Sequence, residues 1–312
     1  MIKKGIYEIL QLENSHNFKD CFGGEKRLSI TLYDQIINHP HADELAERIL
    51  LLFADERGAY KRTYAKRFEA FDDEVLKLLA QSLESQENIV IQDVAVSDGR
   101  TAGDFFEKLI QHFSDISYYA SDYNPKVHVI EKGRTKVTLS HTGKILEIVW
   151  PPFVFNTIKR ESYRNYPFNY LVRIYIEQIV VRPLLQAYHA GKLISRELFL
   201  FAPKIIALAQ NDKRFQLLQH DLLTSFAHQS HIIRAMNVLN PSYFSQEQFE
   251  KVLSHIYRGL YGAGVLITGS NQEAGSLVHG GMYQKTPVGF KKVWQSGDGS
   301  PIEKNLLEFK PS

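Results

Sequence analysis

The sequence predicts an α/β fold: a doubly wound, mostly parallel sheet of seven strands, preceded by a helical region and interrupted by a large insertion. Three observations predict it. From Ile89 onward, apolar runs of strand character alternate with amphipathic helical runs, the pattern of a parallel sheet covered on both faces. Before that point, apolar residues recur at helical spacing. Between the second and third of these strands lie about 90 residues of different pattern, against the 2–6 of an ordinary connection. With 44% hydrophobic and 23% charged residues, the 312-residue chain has the composition of a globular protein. Its 37 Lys+Arg nearly balance its 35 Asp+Glu, so net charge gives no case for nucleic acid or an anionic membrane as partner.

The elements follow in order. Residues 1–85 are expected to be a helical N-terminal region, with "HADELAERILLLFADERGAYKRTYAKRFEAFDDEVLKLLAQSL" as its core. Residues 86–312 then carry the sheet. "IVIQDVAV" is a buried strand, "TAGDFFEKLIQHF" a helix and "ISYYASDYN" a second strand. Residues 124–214 are the insertion, expected to be a hairpin-plus-helices lid that starts and ends at the mouth of the site. "KVTLSHTGKILEIVW" reads as its hairpin, turning at "HTG". The run Tyr166–Leu193 reads as a helix pair bent or broken at Pro183. It is interrupted by Arg173, Glu177, Gln178 and Arg182, so it falls short of the roughly 20 apolar residues of a membrane span; a membrane-surface helix is the alternative. "FQLLQHDLL" is the third strand and "HQSHIIRAMNVL" the fourth. "SQEQFEKVLSHIYRGL" is a helix opened by the capping-box spacing of Ser245 and Gln248. "GAGVLITGS" is the fifth strand. "FKKVWQ" and "KNLLEF", separated by the turn signal "SGDGSP", are the last two strand candidates.

In such a sheet, ligands sit beyond the carboxyl ends of the strands, where the strand order reverses. Three segments converge there: the loop "VSDG", Asp122 at the end of the second strand, and Asp221-Leu222 at the end of the third. An acid at Asp122 suits the two hydroxyls of a ribose. An acid followed by an apolar residue suits the amino group and face of an adenine. The chain has no GxxxxGK phosphate loop, so the set fits a nucleoside without phosphates. There is no HExxH or paired-cysteine pattern, so no metal is expected. The lone Cys21 and the absence of a signal-peptide core fit a cytoplasmic protein.

These segments together resemble the class I S-adenosylmethionine-dependent methyltransferases. "IQDVAVSDG" resembles their first motif, with Asp93 at the acid position and Ala95, Ser97 and Gly99 at the three glycine positions. Asp122 matches the ribose acid, Tyr123 the residue beside the adenine, and Asp221-Leu222 the third motif. "HIIRAMNVLNPSYFSQEQFEKVLSHIYRGLYGAGVLITGS" is similar to the chemotaxis-receptor glutamate methyltransferase (CheR-like) group. The resemblance covers roughly residues 55–123 and 215–312. It implies a Rossmann-like methyltransferase sheet and methyl transfer from S-adenosylmethionine, with S-adenosylhomocysteine as product. It also implies cofactor contacts from Asp93, Ala95, Ser97, Gly99, Thr101, Asp122, Tyr123, Asp221, Leu222 and Asn237. Where the group carries acids after the last glycine, this chain has Arg100 and Thr101.

Arg62, Asn237 and Tyr243 are the candidate substrate-side residues. The string "NPSY" (Asn240–Tyr243) resembles the motif of amino-group methyltransferases, but it also suits a turn into the following helix. The acceptor is open, a small molecule or a protein carboxylate, and so is the oligomeric state. Two other readings stand beside the enzyme: a non-catalytic cofactor-binding or regulatory protein, and a membrane-peripheral enzyme acting on a lipid.

Overall fold

The structure is a computed structural model. It describes residues 3–13, 26–56, 58, 61, 63–83, 86–157, 167–271 and 277–311. The chain divides into two compact units, Met1–Arg62 with Asn124–Pro203 and Thr63–Tyr123 with Lys204–Ser312.

The first unit contains β1 (Lys3–Ile6), α1 (Ile9–Glu13), β2 (Arg27–Leu28) and α2 (Ala42–Leu52), then β5 (Lys126–Lys132), β6 (Thr135–Leu139), β7 (Ile145–Trp150), β8 (Phe153–Asn156), α5 (Pro167–Ile176), α6 (Arg182–His189) and β9 (Ser195–Phe199). Its sheet runs β2-β1-β8-β7-β6-β5-β9 and is antiparallel except for the β1–β2 pair. Side chains alternate across it as the strand period requires. Val127 and Val129 of β5 join the core with Leu45, Ile49 and Leu50 of α2, while Ile130 joins Ile176, Val181 and Leu184 from the helical stretch on the other side. The buried Glu147 accepts hydrogen bonds from the Ser29 hydroxyl (2.6 Å) and the Ile30 amide (3.0 Å), which satisfy it inside this sheet.

The expected division of the chain is corrected here. Residues 1–85 are not a helical region, because β1 and β2 lie within them. Residues 124–214 are not a self-contained lid, because β5–β9 complete one sheet with those N-terminal strands. The hairpin at "HTG" is present as β6–β7, with Gly143 at φ 83°. The helix pair is present too, but it is one continuous helical run whose irregularity is a π-helical stretch, Glu177–Val181, with Pro183 just after it at the start of α6.

The second unit contains α3 (Glu69–Ser82), β3 (Ile89–Val94), α4 (Arg100–Leu109), β4 (Ile116–Asp122), α7 (Pro203–Asn211), β10 (Phe215–Gln219), β11 (Ser230–Met236), α8 (Gln246–Gly259), β12 (Leu260–Ser270), β13 (His279–Thr286), β14 (Gly289–Ser296) and α9 (Glu303–Glu308). Its sheet runs β10-β4-β3-β11-β12-β13-β14. The first five strands are parallel and the last two antiparallel to their neighbours. The order reverses between β3 and β11. On one face Val94, Ile233 and Ala235 pack with Phe249, Val252 and Ile256 of α8 and Leu306 of α9. One residue out of phase, Arg234 bonds Asp93 and meets side chains of α3 and α4. The capping box at Ser245 and Gln248 opens α8 as the spacing predicts.

One strand expectation fails. "KNLLEF" is the helix α9, where Leu306 and the preceding Ile302, four apart, are the buried positions. The seventh strand is β13, "HGGMYQKT". Its glycines hide it from propensity but serve its packing: a Cβ on Gly280 would stand 2.7 Å from the Cα of Gly269 in β12.

Candidate functional site

The carboxyl end of β3 turns sharply into α4. Ala95 (φ 56°), Ser97 (φ 61°) and Gly99 (φ 82°) are all left-handed, so the three glycine positions of the motif keep a glycine-type backbone although two carry a Cβ. That backbone costs a non-glycine residue roughly 1–2 kcal/mol. The neighbouring strand offsets part of the cost. The Val96 amide donates to the Ser121 carbonyl (3.0 Å), and the Ser97 amide donates to Asp122 Oδ2 (2.8 Å). The Gly99 amide closes the turn on the Val96 carbonyl (2.9 Å). The Arg100 amide in turn donates to Asp98 Oδ1 (3.2 Å), so the turn is held by bonds from within it and from the end of β4.

Asp122 thus sits at the end of β4, against this turn. Asp221 follows β10 closely, with one carboxylate oxygen accepting from the Leu223 amide (2.9 Å). Leu222 is buried in the core under α8. The Tyr123 carbonyl accepts from Gln219 Nε2 (3.3 Å), joining the ends of β4 and β10. Thr101 is buried in the first turn of α4 and lines a cavity of about 230 Å³ together with Phe68, Asp72 and Asp104. His220 stacks on Phe226 at 4.5 Å. Burial holds its imidazole below its ordinary pKa, and its Nε2 is buried without a hydrogen-bond partner among the described residues.

Several predicted site residues are placed differently. Asp93 lies beneath the turn, 1% exposed, where it accepts from Tyr118 Oη (2.6 Å) and Arg234 Nη1 (2.9 Å). Its carboxylate holds the protein to itself rather than facing a ligand. Asn237, at the end of β11 with φ 57°, interlocks with Asn271: its Oδ1 accepts from the Asn271 amide (3.0 Å) and its Nδ2 donates to Asn271 Oδ1 (3.3 Å). Arg67 Nε donates to the same Asn271 oxygen (2.9 Å). Tyr243 is 64% exposed in a 3₁₀ turn, and no described contact ties it to the turn after β3. "NPSY" is that turn: Asn240 Oδ1 accepts from the Ser242 amide (2.9 Å), so the helix-entry reading accounts for it. Arg62 lies outside the described residues. Arg100 is engaged within the turn, its guanidinium bonded to the buried Asp98.

Sequence reasoning missed Arg234 and Asp72. Both are buried, and Arg234 Nη2 donates to both oxygens of Asp72 (3.1 and 3.2 Å). Burial raises Asp72 to about 6 against the pull of Arg234. Burial raises Asp93 as well, again opposed by Arg234. For Arg234, burial favours the neutral form, but the two carboxylates outweigh it and the guanidinium is held charged. The signal available in the sequence was a lone arginine in the apolar run "HIIRAM", on a strand read as buried on both faces.

No family model matches the chain, and no curated protein matches it. Among solved structures it is similar to an O-methyltransferase family protein from Burkholderia thailandensis (11% identity, 84% of this chain and 51% of that one, TM-score 0.31). It is also similar to the DszA carbon methyltransferase (13% identity, 78% and 48%, TM-score 0.35). A third is the N-methyltransferase NodS from Bradyrhizobium japonicum WM9 in complex with S-adenosyl-L-homocysteine (15% identity, 73% and 71%, TM-score 0.31). The chain spans about half the length of the first two. At that level of likeness, the chain's own strand order and turn geometry carry the functional reading. No helix among the described residues is long and apolar enough to cross a membrane.

Proposed function

We infer that the second unit binds S-adenosylmethionine and that the protein is a methyltransferase. The observation that carries this is the turn Ala95–Gly99. Three alternate residues keep a left-handed backbone, two of them without glycine's freedom, at the carboxyl end of the strand beside the order reversal. Strain of this kind persists where function uses it. A turn serving only to reverse the chain gains nothing from left-handed alanine and serine. The same observation favours cofactor binding over a decayed turn, since the missing glycines have not changed the backbone.

The residues fit the cofactor in kind. Asp122 suits the ribose hydroxyls, and Asp221 with Leu222 the adenine. S-adenosylmethionine supplies an activated methyl group on a sulfonium. The protein's share is then to orient the acceptor and exclude water. A carboxylate acceptor needs no base, whereas an amine or hydroxyl takes one. The doubly wound reading of the sheet and the kinship with the CheR-like group belong to this same proposal. The acceptor class stays as the sequence leaves it, a small molecule or a protein carboxylate.

The test is calorimetric titration of S-adenosylhomocysteine into the native chain and into Asp122→Ala. A folded Asp122→Ala protein is expected to lose about tenfold or more in affinity, the worth of a charge-assisted hydrogen bond. Equal affinities for the two proteins would remove Asp122 from the site.

A further inference from the structure

Arg234 is among the largest fully buried side chains of the molecule. Its guanidinium meets both arms of the turn after β3. On the strand side it bonds Asp93, two residues before Ala95 (2.9 Å). On the helix side it lies over the ring of Phe105, in the second turn of α4, at 4.7 Å from the centroid. It also reaches Asp72 in α3 (3.1 Å) and covers Phe68, just before α3, at 5.4 Å. Arg234 itself stands three residues before Asn237, where β11 ends. Tyr118 of β4 completes the set by donating to the Asp93 oxygen that Arg234 shares.

A buried ion group of this kind is seldom the most stabilising filling for a core. Apolar side chains of similar volume often do as well or better. What a bidentate cation contributes instead is geometry, since a planar fork bonds its partners in fixed directions.

We propose that Arg234 is a positioning residue for the turn Ala95–Gly99: it fixes the two arms of the turn relative to one another, and through Asp72 it makes the setting of the turn depend on how α3 is seated. Its bearing on cofactor affinity rests on the function proposed above. Its bearing on the turn does not.

Two readouts on the full-length chain separate these. The first is amide hydrogen exchange of residues 95–100 without any cofactor. The second is the dissociation constant of S-adenosylhomocysteine by calorimetry. Lysine keeps the charge but loses the fork. Arg234→Lys is therefore expected to speed exchange in the turn about tenfold, to leave β13 and β14 unchanged, and to weaken S-adenosylhomocysteine by a similar factor. Should Arg234→Lys not fold, Asp72→Ala keeps Arg234 and Asp93 as a one-to-one pair, and it is expected to speed exchange in the turn about threefold with the distant strands unchanged. Unchanged exchange in the turn overturns the proposal. So does an increase shared equally by β13 and β14, because that is the mark of a residue that only stabilises the fold. If the native chain shows no affinity for S-adenosylhomocysteine while the local exchange pattern appears, the cofactor reading fails and the positioning role stands.

Discussion

The two sheets differ in where their backbone strain lies. In the first unit, every described residue with a left-handed backbone is a glycine, as at Gly133 and Gly143 in its hairpin turns. In the second unit, six non-glycine residues take that conformation: Lys66, Asn88, Ala95, Ser97, Asn237 and Ala263. Three of them, Ala95, Ser97 and Asn237, follow the carboxyl ends of β3 and β11, the two strands that flank the order reversal. The buried acids differ in the same sense. Glu147 is satisfied by a serine hydroxyl and an amide, while Asp72 and Asp93 share one guanidinium. Both sheets bury an acid, but the left-handed non-glycine backbone and the buried guanidinium lie in the second unit, beside its candidate site.

The largest expected effect comes from the buried charge. Burial raises Asp72 to about 6 in the fold, from an ordinary value of 3.8. A raised acid stabilises the fold fully below its unfolded value, and that contribution is lost as pH rises through the folded one. About 3 kcal/mol should therefore disappear between pH 4 and pH 7. Urea unfolding across that range, on the native chain and on Asp72→Asn, checks it. The difference between the two curves should change by this amount, and parallel curves would show that Asp72 titrates normally.

A second effect of about 1.5–3 kcal/mol is expected in binding rather than stability, from Asp122→Ala on S-adenosylhomocysteine. Asp221→Asn should cost less than Asp221→Ala, because an amide oxygen still accepts from an adenine amino group. Equal losses would make Asp221 a structural residue.

The smallest effects bear most closely on the comparison. Ala95→Gly and Ser97→Gly should each raise stability by up to about 1 kcal/mol, the relief of left-handed strain less glycine's extra chain entropy. In the first unit the direction reverses. A Cβ on Gly133 or Gly143 would meet no atom within 4 Å, so Gly133→Ala and Gly143→Ala should each cost about 1 kcal/mol through the backbone alone. Thermal unfolding of the four variants reads all of these. If the glycine replacements at 95 and 97 destabilise, the strain is not stored where the comparison places it.

Much of the second unit was legible because its signals are local. β3, β4, β10, β11 and β12 announce themselves as apolar runs, and α8 by its capping box. The strand β13 was not, because Gly280 answers to a close backbone approach from β12 and Gly281 to one from β14, which no local pattern encodes. The first unit was illegible as a unit. Its sheet joins β1, at residues 3–6, to β8, at residues 153–156, and nothing in either segment names the other. At the candidate site, Asp122 and the turn could be placed from spacing and resemblance. The role of Asp93 could not, since its partner Arg234 lies 141 residues away. An acid at the start of a motif reads as a ligand until the cation that buries it is known.

The central claim is that the strained turn of the second unit is a cofactor site. Calorimetric titration of S-adenosylhomocysteine into the native chain, read together with amide exchange of residues 95–100, tests it most directly. Saturable binding of one equivalent per chain is expected, with exchange in the turn slowed on binding and exchange in the first unit's hairpin β6–β7 unchanged. No heat of binding and no protection of the turn at saturating ligand would contradict it.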